Sequence, residues 1–228
     1  EGSRTVTFNI TRALLTITAD AKTKEFGEDD PELTVSYTGF VNGEDDEDLT
    51  GTLAISRVAG EAAGTYAITG SGLTSTNYAI TYAPGVFTIT AKSIIDADIT
   101  VSPIEDFVYT GQGITPPLTV KDGATTLVQG TDYGLDYSNN INVGIATVTI
   151  VSYGNYTGNK VVTFNITQAP LTITADDKSK VFGESDPELT VSYAGFVNGE
   201  DKDDLTGTLL ISRVSGEAVS TYAITASG

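Results

Sequence analysis

The chain has 228 residues, with 30 acidic side chains against 12 basic ones and a formal charge of -18. It contains no Cys, His, Met or Trp, which excludes a disulfide framework, thiolate or imidazole catalysis, and metal sites built on those ligands. The acidity argues against nucleic acid as a partner, yet 39% hydrophobic residues is too apolar for a disordered tail. No apolar run of about 18 residues is present, so no membrane insertion is expected. The start, Glu1-Gly2-Ser3-Arg4, lacks the apolar core of a signal peptide.

Along the chain, apolar residues alternate with Thr and Ser. The pattern predicts strands around Val6, Phe8 and Ile10, then Leu15, Ile17 and Ala19, then Leu33, Val35 and Tyr37. It continues at Tyr78, Ile80 and Tyr82, at Phe87 and Ile89, at Ala146, Val148 and Ile150, and at Val162, Phe164 and Ile166. Turn clusters separate them, among them Gly27 to Pro31, Asn42-Gly43, Ala83-Pro84-Gly85, Lys121-Asp122-Gly123 and Tyr153-Gly154-Asn155. No segment holds a helical period. The expected fold is all-β: tandem Ig-like antiparallel β-sandwich modules in a linear array. The tyrosines Tyr66 and Tyr222, each opening a late strand, are placed to act like a tyrosine corner.

The sequence also repeats itself. Val6-Thr7-Phe8-Asn9-Ile10-Thr11 returns as Val162 to Thr167, and Leu15 to Asp20 returns as Leu171 to Asp176. Roughly 53 of 67 aligned positions are identical, so the two copies should share one fold. A different motif lies between them. The expected organisation is residues 1–12 as the last strand of a preceding module and 13–91 as a first-type module. Residues 92–168 form a second-type module, and 169–228 a first-type module without counterparts of Leu73 to Ala91. The sequence reads as a window onto a longer array.

The first-type motifs are Leu15-Thr16-Ile17-Thr18-Ala19, Lys24-x-Phe26-Gly27, Asp30-Pro31-x-Leu33, Gly39-Phe40-Val41-Asn42-Gly43 and Gly64-Thr65-Tyr66. They resemble the MBG-type Ig-like repeat of large bacterial surface proteins, with Phe26 and Phe182 where that repeat usually carries Tyr. The second-type motifs include Val108-Tyr109-Thr110-Gly111, Gly130-Thr131-Asp132-Tyr133, Tyr137-Ser138-Asn139-Asn140 and Gly154-Asn155-Tyr156-Thr157-Gly158. They are similar to another Ig-like repeat of such proteins. The resemblance implies a repeat region of a giant adhesin, of the kind gliding or biofilm-forming Bacteroidota display, outside the cell at the bacterial surface.

The acidic loops are the chemical feature that stands out. Asp29, Asp30, Glu44, Asp45, Asp46 and Asp48, with Asp186, Asp201, Asp203 and Asp204 in the second copy, are candidate calcium ligands, since calcium takes six to eight oxygens. No Asp-x-Asp-x-Asp-Gly loop is present, and Lys202 interrupts the repeated run. A solvated acidic loop is the simpler reading, one that also discourages edge-to-edge strand pairing. No catalytic residue and no other cofactor is expected: small repeated sandwiches leave no insertion to build a cleft around paired carboxylates.

The connections at Ile89 to Ile94 and Ile166 to Leu171 are short and carry no Gly/Ser-rich run. Neighbouring modules should therefore be held within a narrow range of angles, and the chain is expected to act as a semi-rigid spacer without enzymatic activity. Its expected partners are neighbouring modules of the same longer chain. One rival is a binding module that engages glycan or protein through loops or sheet faces. Another is self-association into filaments, because Val6 to Ile10 resembles Val86 to Ile89 closely enough to replace it in a neighbour.

Overall fold

The computed structural model describes residues 2–228. It contains strands, turns and two short 3-10 turns, and no α-helix. The first seven strands are β1 (Ala13–Ala19), β2 (Lys22–Glu25), β3 (Val35–Thr38), β4 (Thr50–Arg57), β5 (Gly64–Thr74), β6 (Tyr78–Ala83) and β7 (Gly85–Thr90). They form two sheets, ordered β3-β1-β6 and β2-β7-β5-β4.

Alternation sets which side chains turn inward. In β1, Leu15, Ile17 and Ala19 are buried while the intervening threonines are not. Side chains from both sheets then meet in two clusters. Leu15, Ile17 and Tyr78 pack with Leu49 and Leu73, and Ala19 packs with Ile68, Phe87 and Ile89. Burial of these side chains is the main stabilising term.

Strand direction departs from the antiparallel expectation. β1 runs parallel to β6, from Ala13↔Tyr78 to Thr18↔Ala83, and β2 runs parallel to β7, from Lys22↔Phe87 to Glu25↔Thr90. The sequence separation between partners is identical in the two ladders. Residues 13–25 therefore lie beside residues 78–90 as one parallel ribbon, whose two strands leave the first sheet together and enter the second together. The β1–β3, β4–β5 and β5–β7 pairs are antiparallel, so the sheets are mixed.

Beyond this come β8 (Lys92–Ser93), β9 (Ile99–Val101), β10 (Phe107–Val108), β11 (Val120–Asp122), β12 (Thr125–Thr126), β13 (Tyr133–Ser138), β14 (Gly144–Ser152), β15 (Tyr156–Thr157) and β16 (Asn159–Thr167). Their sheets are β10-β16-β14-β13, β12-β11-β9 and β15-β8. Early and late strands again pair in parallel, β8 with β15 and β10 with β16. The chain forms two compact units. The first holds the residues up to Thr100 with Val120–Leu135 and Ile150–Lys160, and the second holds Val101–Thr119, Asp136–Thr149 and Val161–Gly228. Residues 92–168 thus contribute to both.

The last strands are β17 (Thr172–Ala175), β18 (Val191–Ala194), β19 (Leu210–Arg213) and β20 (Ile224–Ser227). They pair antiparallel as β17–β18 and β19–β20. Residues 178–181, the counterparts of β2, form no strand, because β2 pairs only with β7 and this stretch has no β7 counterpart. For the same reason no described residue after Ile166 is fully buried; Tyr78, Phe87 and Ile89 supply much of the first core. Residues 2–12 carry no strand, and Val6, Phe8 and Ile10 are 79%, 88% and 88% exposed.

Candidate functional site

The acidic loops come first. In the loop after β3, Gly39 has φ +114, and a Cβ there would sit 2.3 Å from the carbonyl oxygen of Leu14, so only glycine fits. Asp45 then caps the turn Asp46–Asp48: it accepts the Glu47 N–H at 3.0 Å, and Asp48 accepts the Asp45 N–H at 3.0 Å. The later loop repeats this, with Asp201 accepting from Asp203 N–H at 2.8 Å and Asp204 accepting from Asp201 N–H at 2.9 Å. Lys202, in the place of Asp46, pairs with Asp203 at 2.6 Å. Glu44 accepts the Tyr78 hydroxyl at 2.5 Å. Asp29 and Asp46 are exposed.

Asp30 belongs to a different cluster. Arg57 donates to it through Nε and Nη2 at 2.5 and 3.1 Å, and also to Glu61 at 2.5 Å. Lys24, buried although charged, reaches Asp30 at 2.7 Å, Glu61 at 2.6 Å and the Glu28 carbonyl at 2.9 Å. Hydrogen bonds from Arg57 and then Lys24 hold the Asp30 carboxyl at about 2. Lys180, Asp186, Arg213 and Glu217 rebuild the cluster in the second copy, and Asp186 is likewise lowered to about 2. The carboxylates singled out in the sequence are thus divided between turn caps, a tyrosine contact, ion pairs and the open surface. Among the described residues, no group of three or more acidic, His or Cys side chains is placed to hold a metal ion.

Two further arrangements escaped the sequence reading. In the first unit, Phe26 meets Tyr156 edge-on with ring centres 5.6 Å apart, and the Ala63 N–H donates to Asn155 Oδ1 at 2.9 Å. The Tyr156 hydroxyl donates to Asp122 at 3.2 Å, and Lys92 pairs with the same carboxylate at 2.6 Å. Burial, with Asp122 beside it, pushes the Tyr156 phenol up to about 12. In the second unit, the Tyr109 hydroxyl donates to Glu200 at 2.5 Å, and the Gln112 amide donates to Asn198. Between them Gly111, at φ +71, lies so near Asn198 that a Cβ would be 2.3 Å from the asparagine Cβ. The sequence signals were slight: an Asn-Tyr before a late strand, and a Tyr-Thr-Gly early in the second-type stretch.

The tyrosine-corner expectation has a concrete outcome. Tyr66 donates to the Ala62 carbonyl at 2.7 Å and Tyr222 to that of Ala218 at 3.0 Å. A groove of about 680 Å³ in the second unit is lined by Phe182, Leu189, Arg213, Tyr222 and Ile224. It occupies the place that β7 fills in the first copy.

The model of the MBG domain (YGX type) matches residues 15–88 and 171–228, more than half of the chain. The chain belongs to the MBG domain family. Its two MBG segments lie inside the two copies read from the sequence, and the family is one of repeat domains of surface proteins, structural and adhesin-type rather than enzymatic. No curated protein matches the chain. Among the described residues, no helix is long and apolar enough to cross a membrane.

Proposed function

We propose that this MBG chain is a spacer segment of an extracellular adhesin or surface filament at the bacterial cell surface, and that its immediate partners are the neighbouring modules of the same polypeptide. One observation carries the reading. The strands with which the first MBG module begins lie parallel to those with which it ends, so the chain comes in beside Ala13 at one end of the ribbon and leaves beyond Thr90 at the other. A module threaded this way adds its own length, about 40 Å for a ribbon of this many residues, each time it is repeated. A fold whose ends emerge side by side would add none. The family match and the short connections support the same role.

The test is a series of chains carrying one, two and three copies of the alternating pair. Their longest dimension, read by small-angle X-ray scattering, should grow by a constant increment. The same chains should show no binding on glycan arrays or host cells. Saturable binding by the 228-residue chain would replace the spacer reading with that of a binding module.

A further inference from the structure

Two loops of the chain have the same sequence and shape, and only the second receives the turn Tyr109 to Gln112. Gly39 to Asp45 and Gly195 to Asp201 are identical in sequence. Asn42 and Asn198 have φ 58 and 54, and Gly43 and Gly199 both have φ 79. The capping residues that follow match as well, at φ -139 and -141. The second loop receives the turn Tyr109 to Gln112, through hydroxyl to carboxylate, amide to amide, and a glycine in close contact.

The first loop offers the same groups. Tyr78 takes one carboxylate oxygen of Glu44, and among the described residues the other accepts no hydrogen bond; a carboxylate oxygen is what Glu200 gives to Tyr109. Asn42 is exposed, and its amide makes no hydrogen bond among the described residues. Because the loop already holds the engaged conformation, docking there requires no reordering of its backbone.

The sequence ahead of this loop says which partner fits. Val6 to Thr11 is identical to Val162 to Thr167. Thr167, at the end of β16, accepts the Tyr109 N–H at 2.8 Å and donates its hydroxyl to the Phe107 carbonyl at 3.1 Å. In sequence, Thr11 therefore stands ahead of Asn42 as Thr167 stands ahead of Asn198, and Thr167 is the residue that ties the Tyr109 turn.

We propose that Asn42-Gly43-Glu44 is a docking site for the Tyr109–Gln112 turn of a second-type module lying ahead of Ala13 in the same polypeptide. Tyrosine and glutamine are its recognition chemistry, and glycine between them is the steric condition. The assignment rests on the reading of the chain as part of an alternating array, and it names the contact that sets module order.

The experiment joins a further copy of residues 92–156 ahead of Glu1, so that residues 1–12 complete the added module. The amide signals of Gly43 and Gly199 are then followed by NMR, with exchange rates for Asn42 to Glu44. In the 228-residue chain the two glycines should differ. With the added module the Gly43 signal should move to that of Gly199, and exchange at Asn42 to Glu44 should slow about tenfold. A second fusion, carrying Gly111→Leu and Tyr109→Phe in the added copy alone, should return both readouts to their starting values. An unmoved Gly43 signal in the first fusion overturns the docking site, as does an unchanged shift in the second. Glycan binding by the chain would count against the spacer reading and would leave the Gly43 result standing.

Discussion

The guanidinium carbon of Arg57 lies 4.7 Å from the centre of the Phe87 ring. Arg57 also stands 5.5 Å from the Tyr66 ring, and Arg213 repeats that second contact with Tyr222 at 5.5 Å. Arg213 has no counterpart of Phe87, because β7 is not repeated within the sequence. The same cation cluster is thus seen once above a filled core and once above an open groove. β7 is the element that closes the fold: it covers the arginine, pairs with β2, and supplies Phe87 and Ile89 to the core.

Phe87→Ala should destabilise the first MBG module by about 3–5 kcal/mol, the usual cost of removing a fully buried aromatic side chain. Urea unfolding monitored by circular dichroism would read it as a lower midpoint. An unchanged midpoint would mean that β7 does not close the core.

Acid should weaken both copies through the same group. The Asp30 and Asp186 carboxyls are held at about 2, against about 4 in an unfolded chain. As pH falls, the unfolded chain takes up the proton first. The stabilisation is therefore complete above about pH 4, declines below it, and is lost once pH passes through about 2. Urea midpoints measured from pH 5 to pH 2 should fall over that window, and Asp30→Asn should flatten the fall for the first module.

Alkali should act on Tyr156. Its phenol is raised to about 12, while an unfolded tyrosine ionises near 10. Its contribution is intact below about pH 10 and is lost as pH rises towards about 12. Tyr156→Phe should remove this alkaline step in thermal unfolding curves, while Tyr153→Phe, at an exposed position, should leave it in place.

Calcium should leave the dimensions of the chain unchanged. Asp45, Asp48, Asp201 and Asp204 are occupied as turn caps, and Asp30 and Asp186 as ion-pair partners. Scattering curves in calcium and in chelator should superimpose. A shorter or broader particle in chelator would make these carboxylates ligands.

The strand content was legible because alternation is a local signal. Leu15, Ile17 and Ala19, or Ala146, Val148 and Ile150, announce a buried face by themselves, and the structure buries all six. Strand direction was not legible, since side chains alternate in the same way in parallel and antiparallel ladders. Nor was β2: Lys22-Thr23-Lys24-Glu25 has no apolar alternation, and its place comes from the ladder with β7. The acidic runs were visible, but their use was not. Whether Asp30 faces water or Arg57 depends on a residue 27 positions away. The junction contacts lie farther apart still, with Ala63 and Asn155 separated by 92 positions and Tyr109 and Glu200 by 91. Repetition was the signal that could have found the cation cluster, because Lys24, Asp30, Arg57 and Glu61 all recur unchanged.

The parallel ribbon also decides how the first MBG module carries tension. A pull on its two ends draws β2 one way and β7 the other along their shared ladder, so the pairs from Lys22↔Phe87 to Glu25↔Thr90 are loaded together. Antiparallel neighbours pulled from one edge would open one bond at a time; here the bonds must slide as a group. Cell-surface tethers are stretched by flow and by movement over a surface. Under the spacer role proposed above, the ladder between β2 and β7 would be the mechanical lock, and force spectroscopy should find its rupture, rather than the melting of β4 or β3, as the event that releases the fold.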